Sequence, residues 1–109
     1  MKKNLLKDLE TQNDQERFED ILSRKGLRIE RIVSNGHASA PDFWYEQDHD
    51  EWVLIFSGEA ELEFESNLLK MMPGDYILIE AGKRHRVRST SLTEPTVWLA
   101  IHLSVTTIL

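Results

Sequence analysis

The stretch Gly58-Glu59-Ala60-Glu61-Leu62-Glu63-Phe64-Glu65 decides the fold class. Glutamates take every odd position from 59 to 65, and Ala60, Leu62 and Phe64 fill the positions between them. Side chains alternate across a strand, so this period of two describes a strand with one wet face and one buried face. One wet face is the mark of an antiparallel sheet, because parallel strands are covered on both sides.

The flanking sequence continues in the same manner. Trp52 to Phe56 is continuously apolar, as a strand buried on both faces would be. Pro73-Gly74-Asp75 is a turn signal before the strand Tyr76 to Ile79, and Ala81-Gly82-Lys83 is a second turn. His85 to Arg88 and Thr96 to Leu103 complete the series. Upstream, Leu27, Ile29 and Arg31 share one face of a strand, with Arg28, Glu30 and Ile32 on the other. Short strands separated by turns every ~8–12 residues, with no alternating helices, predict an all-β antiparallel sandwich or barrel. A continuous apolar strand beside a one-face-wet strand fits a small jelly roll. In Thr96 to Leu103, Trp98, Ala100 and His102 lie on one face, and Val97, Leu99, Ile101 and Leu103 on the other. Periodicity leaves open which face lines the interior and which meets solvent or a second subunit.

The chain changes character near Gly26. Before it, Phe18, Ile21 and Leu22 recur at i, i+3, i+4, the spacing of one helix face. Asn13 with Glu16 three residues later reads as an N-terminal cap, and Gly26 suits the position just past a C-terminus. The pattern predicts a helix at about 14–24, preceded by an arm over 1–12 pinned by Leu5, Leu6 and Leu9. With 109 residues the chain is one domain, an arm and helix over 1–25 packed on a barrel over 26–109.

Composition narrows the function. Nineteen acidic against 13 basic residues leave a net charge of −6, which argues against nucleic acid and against an anionic membrane as partners. There is no cysteine, so thiol catalysis, disulfides and Cys-ligated metals are excluded. Lys2 and Lys3 could open a signal peptide, but Lys7, Asp8 and Glu10 interrupt its apolar region. No apolar run approaches the ~20 residues of a membrane span. A cytoplasmic location is the expectation.

Two segments concentrate donor side chains, Tyr45-Glu46-Gln47-Asp48-His49-Asp50-Glu51 and Glu80-Ala81-Gly82-Lys83-Arg84-His85. In an extended chain Gln47, His49 and Glu51 point the same way. His85 lies past a turn, far enough along to come from another strand. Trp98 and His102 are candidate ligand-binding residues on one strand face. Lys83, Arg84, Arg86 and Arg88 form a basic cluster with two readings. It pairs with the glutamate-rich strand, or it captures a carboxylate or phosphate at the barrel mouth through Arg84. His37, in the Gly36-His37-Ala38-Ser39 loop, is expected to make a structural hydrogen bond. No nucleophile elbow or phosphate loop is present.

These segments resemble a small single-domain cupin over residues ~36–103. That family's first motif can be written G-x5-H-x-H-x3–4-E-x6-G. Counted back from Gly58, its glutamate falls on Glu51, its two histidines on Tyr45 and Gln47, and its leading glycine on Ser39. The second motif, G-x5-P-x-G-x2-H-x3-N, is matched by Gly74, Gly82 and His85, with Glu80 and Ser89 in place of its proline and asparagine. The resemblance implies a barrel whose mouth holds a metal on three histidines and one glutamate. Carried over, it offers Glu51 and His85, with Gln47 and His49 as further metal ligands and Tyr45 as a ligand-binding residue. A divalent ion (Fe, Mn, Ni or Zn) at such a site would serve chemistry on a small polar molecule. The alternatives are a non-catalytic barrel that binds or senses a small ligand, and a structural module. A homodimer is expected.

Overall fold

The computed structural model describes residues 1–11 and 15–104, and they form eight β-strands. In chain order these are β1 (Arg17–Arg24), β2 (Leu27–Ser34), β3 (Asp50–Ser57), β4 (Ala60–Phe64), β5 (Leu68–Met71), β6 (Tyr76–Ile79), β7 (His85–Thr90) and β8 (Thr96–Leu103). A five-stranded sheet, β1-β2-β8-β3-β6, faces a three-stranded sheet, β5-β4-β7, and every pairing is antiparallel. The all-β expectation holds. Among the described residues there is no helix, so none long and apolar enough to cross a membrane.

The glutamate stretch forms β4 as its alternation demands. Ala60, Leu62 and Phe64 are at most 4% exposed and join Val53, Ile55, Met71, Ile79, Trp98 and Ala100 in the core between the sheets. Its other face meets the basic cluster on β7 and in the turn before it. Arg86 donates to Glu63 at 2.9 Å across the strand pair, and Arg84 stands 3.5 Å from Glu65. The sheet-face question left open for β8 is settled by packing. Trp98, Ala100 and His102 are buried inside the barrel, and Leu99, Ile101 and Leu103 are half-buried on its outer side.

The helix expected at 14–24 is replaced by β1. Asp20 pairs with Glu30 and Leu22 with Ile29, so Ile21 is an extra residue that bulges out of the ladder. A bulge reverses the alternation beyond it. Phe18, opposite Ile32, therefore lies on the cavity side, at the open edge where it stays half exposed, while Leu22, beside Ile29, lies on the outer side. What reads as one helical stripe is two faces of a bulged strand. The open edge of β2 supplies ladder partners, and tertiary pairing overrides the local pattern. Gly26, at φ +76°, turns β1 into β2. The proposed cap residue Asn13 lies outside the described residues.

The arm before β1 is strapped to the outer side of β2 by Arg31, which is 6% exposed. Its guanidinium donates to the carbonyls of Leu5 (3.1 Å), Lys7 and Asp8 (3.1 Å) and pairs with Glu19. Leu5 and Leu9 are half-buried against the barrel and Leu6 is exposed.

Candidate functional site

Antiparallel pairing puts the start of β3 beside the end of β8 and an inward-facing residue of β6, so Glu51, His102 and Ile79 lie side by side. The segment before β3 runs along β7. Tyr45 and His85 exchange backbone hydrogen bonds of 2.7 and 3.0 Å, and Gly82 donates to the Gln47 carbonyl at 2.7 Å. The extended course keeps Tyr45 and Gln47 on the same side, and both line a cavity with Glu51 and His85. The two motif segments thus converge.

The cavity has a volume of about 80 Å³. Its apolar walls include Phe18, Ile32, Val53, Leu62, Ile79, Val87 and Trp98. Its polar groups are Glu16, Glu30, Tyr45, Gln47, Glu51, His85 and His102, with no lysine or arginine among them. His85 Nδ1 lies 2.9 Å from the Lys83 carbonyl, which can only accept, so Nδ1 carries the proton. Nε2 then faces Glu51 Oε1 at 3.7 Å, with both side chains under a tenth exposed. The Tyr45 ring stacks on His85 at 5.4 Å. Burial raises the Tyr45 phenol above its ordinary pKa of 10.0, reinforced by the carboxylates of Glu16, Glu51 and Glu30. It therefore stays a neutral donor. Gln47 Oε1 is buried with no hydrogen-bond partner.

On the adjoining wall, His102 contacts Glu30 through Nε2 at 3.1 Å and His49 through Nδ1 at 2.9 Å. His49 sits at the rim against His102 and Asp48 rather than beside Glu51 and His85. Trp98 lines the cavity and its indole donates to Ser34 at 3.3 Å. Arg84 lies outside the cavity, its guanidinium over the Trp44 ring at 5.2 Å and near Glu46 and Glu65. In the Gly36–Ser39 loop, His37 accepts a hydrogen bond from the Asn35 amide at Nδ1 (2.8 Å). Sequence reasoning missed Glu16, Phe18 and Glu30. The one signal for Glu30 was its place on the same strand face as Ile32.

The donor set does not fit a centre of three histidines and one glutamate. Tyr45 and Gln47 stand at two of the histidine positions, one a protonated phenol and the other an uncharged amide. Both ring nitrogens of His49 are engaged. Among the described residues no three His, Asp or Glu side chains come together as they would around an ion.

Comparison with known proteins agrees with this architecture. The Cupin domain family matches residues 31–102. A Ralstonia eutropha JMP134 structure, whose provisional description is mannose-6-phosphate isomerase, is 47% identical, with a TM-score of 0.91 over 96% of this chain and 99% of that one. A cupin superfamily protein of Desulfitobacterium hafniense DCB-2 is 21% identical, with a TM-score of 0.72 over 86% and 82%. A Streptococcus pyogenes protein of unknown function is 19% identical, with a TM-score of 0.77 over 98% and 90%. The last two show likeness of fold alone. No curated protein matches the chain. Strand order, both motif segments and the family match agree: this chain belongs to the cupin family.

Proposed function

We propose that the barrel binds a small polar molecule, uncharged or cationic, and moves a proton on it without a tightly held metal ion. The observation that carries this reading is the Glu51–His85 pair, 3.7 Å apart and nearly inaccessible to solvent, facing a small cavity lined by both apolar and polar side chains. With Nδ1 holding the Lys83 carbonyl, His85 Nε2 is free to take a proton, and Glu51 stabilises the imidazolium that results. Tyr45, kept protonated, is a hydrogen-bond donor on the same wall. Gln47 Oε1, lacking a partner within the protein, suits a hydroxyl, amine or amide N–H of the bound molecule.

Size and charge select the ligand class. About 80 Å³ is far below the ~300 Å³ of the smallest drug-sized sites. Glu16, Glu30 and Glu51 with no cation among the lining residues disfavour a phosphate ester. The sugar phosphate in the description of the Ralstonia relative is therefore not the ligand proposed for this chain.

The test is a titration of ¹⁵N-labelled protein with glycerol, ethylamine and mannose 6-phosphate, followed on the His85 and Trp98 ring signals. Saturable shifts with the polyol or the amine, lost in Glu51→Gln, support the reading. Saturable binding of mannose 6-phosphate overturns it. So does a stoichiometric ion, retained after loading with Fe(II), Mn(II), Ni(II) or Zn(II) and lost in both Glu51→Ala and His85→Ala.

A further inference from the structure

Four side chains form an unbroken line from solvent to the cavity. Asp48 Oδ1 is 3.1 Å from His49 Nδ1, His49 Nε2 is 2.9 Å from His102 Nδ1, and His102 Nε2 is 3.1 Å from Glu30 Oε1. Asp48 is fully exposed, the His49 side chain is 20% exposed, and His102 and Glu30 are almost inaccessible and line the cavity. The second oxygen of Glu30 accepts from Arg28 at 3.0 Å.

Counting protons along this line gives its state. Ionised carboxylates only accept, so each of the three contacts needs one hydrogen on a ring nitrogen. Two neutral imidazoles carry one each. The line is complete only when the rings hold one further proton between them, shared across the 2.9 Å nitrogen–nitrogen contact. Moving a proton from His102 onto Glu30 leaves the total unchanged. The surroundings suit a cation. Glu30 and Arg28 face His102 from β2, Glu51 stands opposite it on β3, and Asp48 flanks His49. Glu16, Tyr45 and His85 complete the cavity wall. Three carboxylates, Glu30, Glu51 and Asp48, thus flank the pair against one arginine, Arg28, which Asp20 and Glu30 already hold at 3.3 and 3.0 Å.

We propose that Asp48, His49, His102 and Glu30 are a proton relay that carries one extra proton and exchanges it between solvent and the cavity. It rests on the proposed function only for the use to which that proton is put. Starting from neutral rings protonated at Nε2, a proton from water binds His49 Nδ1 beside Asp48. His49 passes its Nε2 proton to His102 Nδ1, and His102 passes its own Nε2 proton to Glu30. One proton enters, one becomes available in the cavity, and no bond between heavy atoms changes.

The experiment uses ligand-free protein ¹⁵N-labelled at histidine, with two-bond ¹H–¹⁵N correlation spectra near neutral pH. His49 Nδ1 and His102 Nε2 should be of the protonated type, while His49 Nε2 and His102 Nδ1 both lie at intermediate shifts because they share a proton. In Glu30→Gln and in Asp48→Asn the count should fall to two protons on the four nitrogens. Asp48 is fully exposed, so Asp48→Asn keeps the test valid if Glu30→Gln does not fold. Two protonated and two bare nitrogens in the unmodified protein overturn the relay. So does a third proton fixed on one nitrogen. None of these outcomes needs a ligand, so failure of the relay is separable from failure of the cavity's proposed function.

Discussion

Gly58 closes the first motif and Gly82 lies inside the second, and the structure gives them different weight. Both have positive φ, +80° and +81°, where a side chain costs roughly 1–2 kcal/mol. A Cβ on Gly58 would also stand 2.6 Å from Thr96 Cα and 2.7 Å from the Pro95 carbonyl, whereas one on Gly82 would meet nothing within 4 Å. Gly58→Ala should destabilise by about 3 kcal/mol and Gly82→Ala by about 1 kcal/mol, read from urea unfolding midpoints. Tyr45 supplies a second residue-scale prediction. The folded state holds the phenol proton more tightly than the unfolded chain, so the stability it contributes is complete below pH 10.0 and is lost as pH rises above it. The phenolate absorbance missing from Tyr45→Phe should be the component that appears above pH 10.0 in an alkaline titration of the unmodified protein. Residues of the candidate site are legible in unequal degree. Glu51 and His85 follow from motif spacing and alternation. Glu30 sits between Arg28 and Ile32 in a strand that reads as half wet, and nothing local tells an inward glutamate from a solvated one.

At the scale of elements, most strands announce themselves by alternation or by bounding turns, and β1 does not. Its bulge at Ile21 breaks the period of two, leaving a spacing that imitates a helix. Bulges are set by how two strands fit together, which one strand's sequence does not report. The arm depends on Arg31 in a comparable way. A buried guanidinium holding three carbonyls and Glu19 fixes the arm on β2, and its removal leaves those carbonyls unpaired. Arg31→Ala should free the arm and speed tryptic cleavage after Lys7 several-fold under native conditions, measured by mass spectrometry. The outermost pair between β4 and β7 is worth less. Arg88 and Glu63 are only 3.9 Å apart with Arg88 half exposed, a geometry that contributes ~0–1 kcal/mol.

The whole molecule is organised around β8, which comes last among the strands and lies between β2 and β3 in the larger sheet. Leu27 pairs with Leu103, so the sheet closes across most of the chain. Distant pairing of this kind slows folding. Refolding followed by tryptophan fluorescence, to which the buried Trp98 contributes, should occur on the ~millisecond-to-second scale of all-β domains rather than in microseconds. The same closure assembles the cavity, because its polar wall is drawn from the arm, β2, the segment before β3, β3, β7 and β8. Side-chain alternation and glycine turns are local properties, so the all-β class, the turns, the inward face of β4 and the two segments carrying Glu51 and His85 are legible along the chain. That β1 is a strand, that the Trp98–His102 face of β8 is inside, and that Glu30, His102 and His49 stand in line emerge only once the chain is folded. Those outcomes depend on which strands pair and in what register, and pairing partners lie tens of residues apart along the chain.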